Sequence, residues 1–151
     1  MVGLFPTLAI TLAVLSVNAS PQAGSYSGLA YTTSVDLFAG IQYAEHPTGT
    51  LRFAPAQQLP PASAPVDATD YGNACIQFGS RSDFVVEASS EECLFLNVFR
   101  PAAAGSTANL PVAVWIHGGS HRTGSGGPAY NATALTREPR HRGCNHQLQA
   151  W

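Results

Sequence analysis

The sequence is 151 residues long, 45% of its residues are hydrophobic and only 11% are charged, and its formal net charge is −2. A chain of this length and composition can form one modest domain. Its near-neutral balance, with no basic patch in the body of the sequence, argues against nucleic acid or an acidic surface as a partner.

The first 19 residues form an apolar segment that ends in small residues. The run LFPTLAITLAVLSV is followed by Asn18 and Ala19, which complete an A-x-A-like pattern. Because the run is short for a membrane span, we predict a secretory signal peptide over residues 1–19, with an uncleaved anchor as the alternative. The mature chain would then begin near Ser20, be secreted into an oxidising compartment, and keep no stable membrane anchor.

Four further segments follow in chain order. Residues 29–31 and 35–38 alternate apolar and polar positions between glycines, which predicts short antiparallel edge strands. Residues 45–70 are rich in proline and alanine and should be irregular chain laid over a surface. Residues 94–99 alternate as a strand does.

Val112–Ile116 is an unbroken run of β-branched and aromatic residues, typical of a strand buried on both faces. We expect this strand and the strand at residues 94–99 to be neighbours in one sheet.

Cys75 and Cys93 are 18 residues apart, so a bond between them would close a loop of that length. In an oxidising compartment they most simply pair with each other, and closing that loop stabilises the fold by about 3 kcal/mol in the chain-entropy model. Two free buried thiols are the alternative. No CxxC motif or histidine cluster accompanies them, so no metal site is expected.

After Ile116 the chain continues into His117, Gly118 and Gly119 and then a loop of small and polar residues. Without a Cβ, glycine lets the backbone approach a ligand and aim its N–H at a charge, here a developing oxyanion. A merely flexible Gly/Ser loop is the alternative. We expect His117 to brace the loop by hydrogen bonding rather than to act as a base. Asn131 begins an N-glycosylation sequon.

Three stretches together resemble the type B carboxylesterase and lipase family, which includes the cholinesterases. GIQYAEHPTGTLRFAPAQ (residues 40–57) resembles its early signature, SEECLFLNVFRP (residues 90–101) its second, and WIHGGS (residues 115–120) its HGGG-type oxyanion loop. The resemblance covers roughly residues 29–135 and corresponds to the N-terminal part of a family member. It implies an incomplete α/β-hydrolase fold with antiparallel N-terminal strands and the first strands of a mixed sheet, a truncated domain over residues 20–135, and the Cys75–Cys93 disulfide.

The resemblance also implies a serine carboxylic-ester hydrolase that acts on small-molecule or lipid esters without a cofactor or metal. Carried over by position, the oxyanion donors are the N–H groups of Gly119 and Ser120, and Gly118 shapes the turn. The family usually has a third glycine at Ser120 and an aromatic residue at His121. No G-x-S-x-G elbow occurs in the sequence, so nucleophile, acid and base are absent and the chain alone is expected to be inactive.

Residues 136–151, TREPRHRGCNHQLQAW, differ abruptly in character from the preceding chain. They could form a basic, disordered extension. However, the genetic code allows residues 138–151 to be encoded so that a one-base shift gives Asn-Pro-Val-Ile-Val-Val-Ala-Ile-Ile-Asn-Tyr-Arg-Leu-Gly, an apolar strand with the family's NYRLG-like motif. We therefore predict that this tail is out-of-frame translation.

Three functions remain open at this point. The chain is an inactive N-terminal fragment of an esterase, a non-catalytic cholinesterase-like binding or adhesion protein, or a small secreted disulfide protein that requires Cys144 to be paired. In the first case the helices that would cover the sheet are not encoded, so we expect Val112–Ile116 to have an unpaired edge and bare faces.

Overall fold

The computed structural model describes residues 25–77, 88–104, 110–137 and 144–148, the last segment as backbone alone. The predicted signal peptide lies outside the described residues. The strands in chain order are β1 (Tyr26–Ser27), β2 (Leu29–Ala30), β3 (Val35–Gln42), β4 (Val66–Asp67), β5 (Ala74–Cys75), β6 (Ser89–Ser90), β7 (Phe95–Pro101), β8 (Val112–Ile116) and β9 (Cys144–Leu148). The helix α1 spans Thr133–Arg137, and 3₁₀ turns lie at Gly49–Leu51 and Pro128–Tyr130.

The largest sheet has five strands in the order β2-β3-β7-β9-β8. The pairs β2–β3, β3–β7 and β7–β9 are antiparallel, whereas the pair β8–β9 is parallel. Two small parallel pairs, β1 with β4 and β5 with β6, accompany it. The sheet is therefore mixed, as the resemblance implied. In the part of the chain that the structure describes, none of the helices has the length and apolar character that a membrane crossing requires.

Strand β3 confirms the alternation read from the sequence. Every second residue from Val35 to Ile41 is buried, because successive side chains of a strand point to opposite faces. The main core cluster combines three of these side chains with Phe99 of β7, and Tyr71 and Ala132 pack against it. Burial raises the pKa of Tyr71 to about 12.

A β-bulge interrupts the pairing of β3 with β7 between Phe38 and Ile41. Gly40 lies in this bulge with φ +66°, and a Cβ there would overlap the Asp70 carbonyl oxygen. Glycine alone meets both demands. The bulge also turns the Gly40 N–H toward β7, where the side-chain oxygen of Asn97 accepts it at 2.9 Å.

Residues 45–70 are largely irregular, as predicted, apart from the turn at Gly49–Leu51 and the two residues of β4. An ion pair of 3.0 Å joins the Arg52 Nε to the Glu91 carboxylate and ties this segment to the region before Cys93. Cys93 is fully buried and forms a disulfide with Cys75, as predicted. The alternative of two free thiols is wrong.

Strand β8 has the predicted bounds, but two predictions about its surroundings are wrong. All five residues are exposed, Ile116 by 58%, so the strand is not buried on both faces. Its neighbour is β9 rather than β7. The apolar run specifies a strand, but burial requires elements packed over its faces, and α1 is the only α-helix among the described residues. The expected bare faces are observed, and no described strand pairs with its outer edge.

The tail contributes β9, the interior strand between β7 and β8. Its backbone pairs Leu96 with Leu148 on one side and Val112 with Cys144 on the other. The alternative of a disordered extension is therefore wrong for Cys144–Leu148. The rest of the tail from residue 138 onward lies outside the described residues.

Candidate functional site

The site predicted from the sequence is the glycine loop, which we define as residues 117–127. It leaves the end of β8 and leads into the 3₁₀ turn at Pro128–Tyr130. Gly118, Gly119 and Ser120 are exposed, whereas Ser125 and Gly126 are buried. The loop is therefore embedded at its far end and presents its first residues to solvent.

A tight turn shapes the exposed half of the loop. The Gly119 carbonyl accepts hydrogen bonds from the N–H groups of Arg122 (3.0 Å) and Thr123 (3.1 Å). Gly119 has φ +129°, and Ser120 and His121 have φ +55° and +56°. A non-glycine residue in the left-handed region costs about 1–3 kcal/mol and persists only where its surroundings impose it.

This turn leaves two backbone donors free. The Gly119 carbonyl is used inside the turn, but the N–H groups of Gly119 and Ser120 donate to no acceptor among the described residues. Both residues are exposed. Two successive free donors on a constrained turn can bind an anionic oxygen without first breaking an internal hydrogen bond.

The steric demand for glycine falls on Gly119 and Gly124 rather than on Gly118. A Cβ at Gly119 would overlap the Thr123 carbonyl, and one at Gly124 would overlap the Gly118 carbonyl and the His117 ring. A Cβ at Gly118 would meet nothing within 4 Å. The turn is thus shaped at Gly119, while Gly118 contributes its carbonyl group to contacts inside the loop.

His117 lies against the loop that follows it. Its Nδ1 is 2.9 Å from the Gly118 carbonyl oxygen, so the tautomer with hydrogen on Nδ1 donates to that oxygen. Its Nε2 is buried and has no partner among the described residues. These contacts fit the predicted bracing role, because an imidazole that donates to its own loop holds the turn.

Two side-chain amides that the sequence analysis did not identify hold the buried end of the loop. The Gln77 Oε1 accepts the Gly124 N–H at 2.8 Å, and its Nε2 donates to the Gly124 carbonyl at 3.1 Å. Asn97 donates through Nδ2 to the Gly126 carbonyl at 2.7 Å while its Oδ1 holds Gly40. The sequence could have indicated Asn97, because a polar side chain inside an apolar strand needs buried hydrogen-bond partners. Nothing in the sequence indicated Gln77.

The sequon asparagine, Asn131, is exposed just before α1. Its Oδ1 accepts the Thr133 N–H at 2.8 Å, and its Nδ2 donates to the Tyr31 hydroxyl at 3.0 Å. Across the described ranges, no group of three or more histidine, cysteine, aspartate or glutamate side chains could hold a metal ion.

Comparison with known proteins extends this picture. Residues 13–140 match the family described as the carboxylesterase family. Mouse carboxylesterase 1D is 33% identical over 89% of this chain and 28% of its own length, and mouse carboxylesterase 1C is 37% identical over 75% and 22%.

Solved esterase structures superpose on the same region. Aspergillus niger EstA has a TM-score of 0.70 at 33% identity and covers 82% of this chain and 23% of its own. A thermophilic pNB esterase has a TM-score of 0.72 at 32% identity, covering 82% and 26%. The chain thus spans about a quarter of the length of these relatives. A family match over most of its residues, together with the shared α/β-hydrolase architecture, makes this chain a partial, N-terminal member of the carboxylesterase family.

Proposed function

We propose that the glycine loop is the oxyanion loop of a secreted serine carboxylic-ester hydrolase, with the N–H groups of Gly119 and Ser120 as its donors. The observation that carries this proposal is the pair of free, exposed N–H groups on a constrained turn. In acyl transfer the substrate carbonyl oxygen gains negative charge as the nucleophile attacks. Donors already fixed at that position stabilise the transition state more than the substrate.

The substrate class is a small-molecule or lipid ester, because the relatives of this chain are carboxylesterases. The sequence contains no G-x-S-x-G elbow, which would supply the nucleophile in this fold. Without that nucleophile the chain is inactive alone. Its proposed role is to supply the oxyanion loop of a longer esterase. A binding or adhesion protein is the second candidate, and it would need no nucleophile.

We further propose that the tail is out-of-frame translation. Strand β9 runs between β7 and β8, yet its sequence is Cys-Asn-His-Gln-Leu. Interior strands of sheets covered on both faces are usually continuous apolar runs. The one-base shift described above supplies such a run, Val-Ile-Val-Val-Ala-Ile-Ile, at positions 140–146, which overlaps the first three positions of β9.

The test is to sequence genomic DNA and transcript across the codons for residues 135–151 and beyond. We expect the shifted frame to encode an apolar strand and later a G-x-S-x-G elbow. The frame-restored protein should hydrolyse a p-nitrophenyl ester, and the 151-residue chain, as the matched control, should not. If no frame contains an elbow, the esterase proposal fails and ester hydrolysis is only the ancestry of this chain.

Secretion and glycosylation of Asn131 form a separate proposal. What supports it is that Asn131 is exposed at the surface of the described part of the chain, where its amide donates to the Tyr31 hydroxyl. Expression in eukaryotic cells should yield a chain in the medium whose mass falls on treatment with an amidase that removes N-glycans. Asn131→Gln should abolish that mass change. A retained, unglycosylated wild-type chain would contradict the proposal.

A further inference from the structure

We propose that Gln77 is a positioning residue that sets the direction of the oxyanion donors by clamping the glycine loop at Gly124. This inference rests on the proposed function of the loop. Gln77 lies 47 residues before Gly124 in the sequence and outside every motif that the family resemblance uses. It touches neither Gly119 nor Ser120 and acts through the backbone between them and Gly124.

The Gln77 carboxamide uses all of its hydrogen-bonding groups. Oε1 accepts the Gly124 N–H at 2.8 Å, and Nε2 donates to the carbonyl groups of Gly124 at 3.1 Å and Cys75 at 3.2 Å. The two contacts with Gly124 fix both sides of one residue, as a neighbouring strand would. A single hydrogen bond to Gly124 would leave its backbone free to rotate about that bond.

Gly124 is the point at which the loop returns on itself. Its φ of +116° lets its backbone lie against the Gly118 carbonyl and the His117 ring. The preceding residue, Thr123, donates its N–H to the Gly119 carbonyl at 3.1 Å. A displacement of Gly124 therefore moves Thr123, and with it the Gly119 peptide whose neighbouring N–H groups are the proposed donors.

Gln77 is anchored close to a disulfide bond. Gln77 is two residues from Cys75, which the disulfide joins to the fully buried Cys93. Asn97 holds the loop nearby, but it also bonds Gly40 in the bulge of β3, so its loss would disturb the sheet. Among the described residues, the side-chain bonds of Gln77 go to the loop and to Cys75. Gln77 is thus the position at which loop geometry can be changed without changing the core.

Gln77→Glu separates positioning from general structure through its pH dependence. A carboxylate has no N–H, so it places negative charge beside the carbonyl oxygens of Gly124 and Cys75, whereas a protonated carboxyl regains a donor. The clamped conformation therefore disfavours the ionised form and raises the pKa of the introduced glutamate. The pKa of a free glutamate is about 4.3, and the pKa of the introduced glutamate lies above that value. The clamp is therefore present at acidic pH and is lost as the pH rises through the raised pKa.

The readout is amide hydrogen exchange of Arg122 and Thr123 in the full 151-residue chain at high dilution, corrected for intrinsic exchange at each pH. In Gln77→Glu both amides should exchange about tenfold faster than in the wild type at pH 7, and return toward wild-type protection at about pH 4. Gln77→Leu should show the fast exchange at both pH values. Gln57→Glu is the matched control, because its side-chain amide donates to the adjacent Pro55 carbonyl, and it should match the wild type.

Wild-type protection of Arg122 and Thr123 in both Gln77 variants would overturn the proposal. So would a loss of protection that extends equally to β3 and β7, since that would mark Gln77 as a general structural residue. If Gln77→Glu does not form the disulfide, the comparison of Gln77→Leu with the wild type decides on the same criterion. Because exchange does not require ester hydrolysis, a clamped loop in an inactive frame-restored protein would refute the proposed function and leave the clamp standing.

Discussion

Replacing Gly119 with alanine is expected to destroy the turn that presents the N–H groups of Gly119 and Ser120. The new Cβ would overlap the Thr123 carbonyl oxygen, and the φ of +129° is one that residues with side chains rarely adopt. The backbone must therefore leave this conformation, which breaks the bonds from Arg122 and Thr123 to the Gly119 carbonyl. In a frame-restored esterase, we expect kcat to fall by about 10²–10³-fold, the typical cost of losing one oxyanion donor.

The same change can be followed in the 151-residue chain by amide exchange of Arg122 and Thr123. Gly118→Ala is the matched control for this structural readout, because a Cβ at the adjacent position meets nothing within 4 Å and its φ is not in the left-handed region. Gly119→Ala should abolish protection of both amides, whereas Gly118→Ala should retain it. If Gly119→Ala kept the two amides as protected as Gly118→Ala does, the turn would not depend on glycine at position 119.

The sequence was sufficient for elements whose pattern is local. The sequence predicted β3 and β7 to within a few residues. In β3 the reason is that one buried face imposes a period of two. The run in β8 predicted a strand but not its exposure, since burial depends on what packs over the faces. Strand β9 carries no strand signal in Cys144–Leu148. Its pairing arises from the backbone groups that β7 and β8 present.

Some residues of the candidate site could be predicted from the sequence and others could not. The family motif predicted Gly118, Gly119 and Ser120, because a sequence motif reports a backbone turn that only a few residue types can form. It did not predict that the steric demand for glycine falls on Gly124, which packs against the His117 ring, rather than on Gly118. Gln77 could not be predicted, since its partner is 47 residues away and a half-buried glutamine has no characteristic pattern. Positioning residues of this kind emerge only when the chain has folded.

Removing the Cys75–Cys93 disulfide is expected to lower the free energy of unfolding by about 3 kcal/mol and to loosen the glycine loop at the same time. The bond closes a loop with a sequence separation of 18, so its loss returns chain entropy to the unfolded state. Cys93 is also fully buried beside Ala44 and Leu94. Alanine is therefore the better replacement, because serine would bury a hydroxyl group.

The double variant Cys75→Ala/Cys93→Ala should unfold at a lower urea concentration than the wild type when followed by circular dichroism. Cys144→Ala is the control, because Cys144 lies outside this disulfide. Since Gln77 donates to the Cys75 carbonyl, the double variant should also exchange the Thr123 amide faster than the control under native conditions. A lower unfolding midpoint with unchanged exchange at Thr123 would mean that the disulfide stabilises the sheet but does not anchor the clamp. Unchanged values of both would show that the pair contributes to neither.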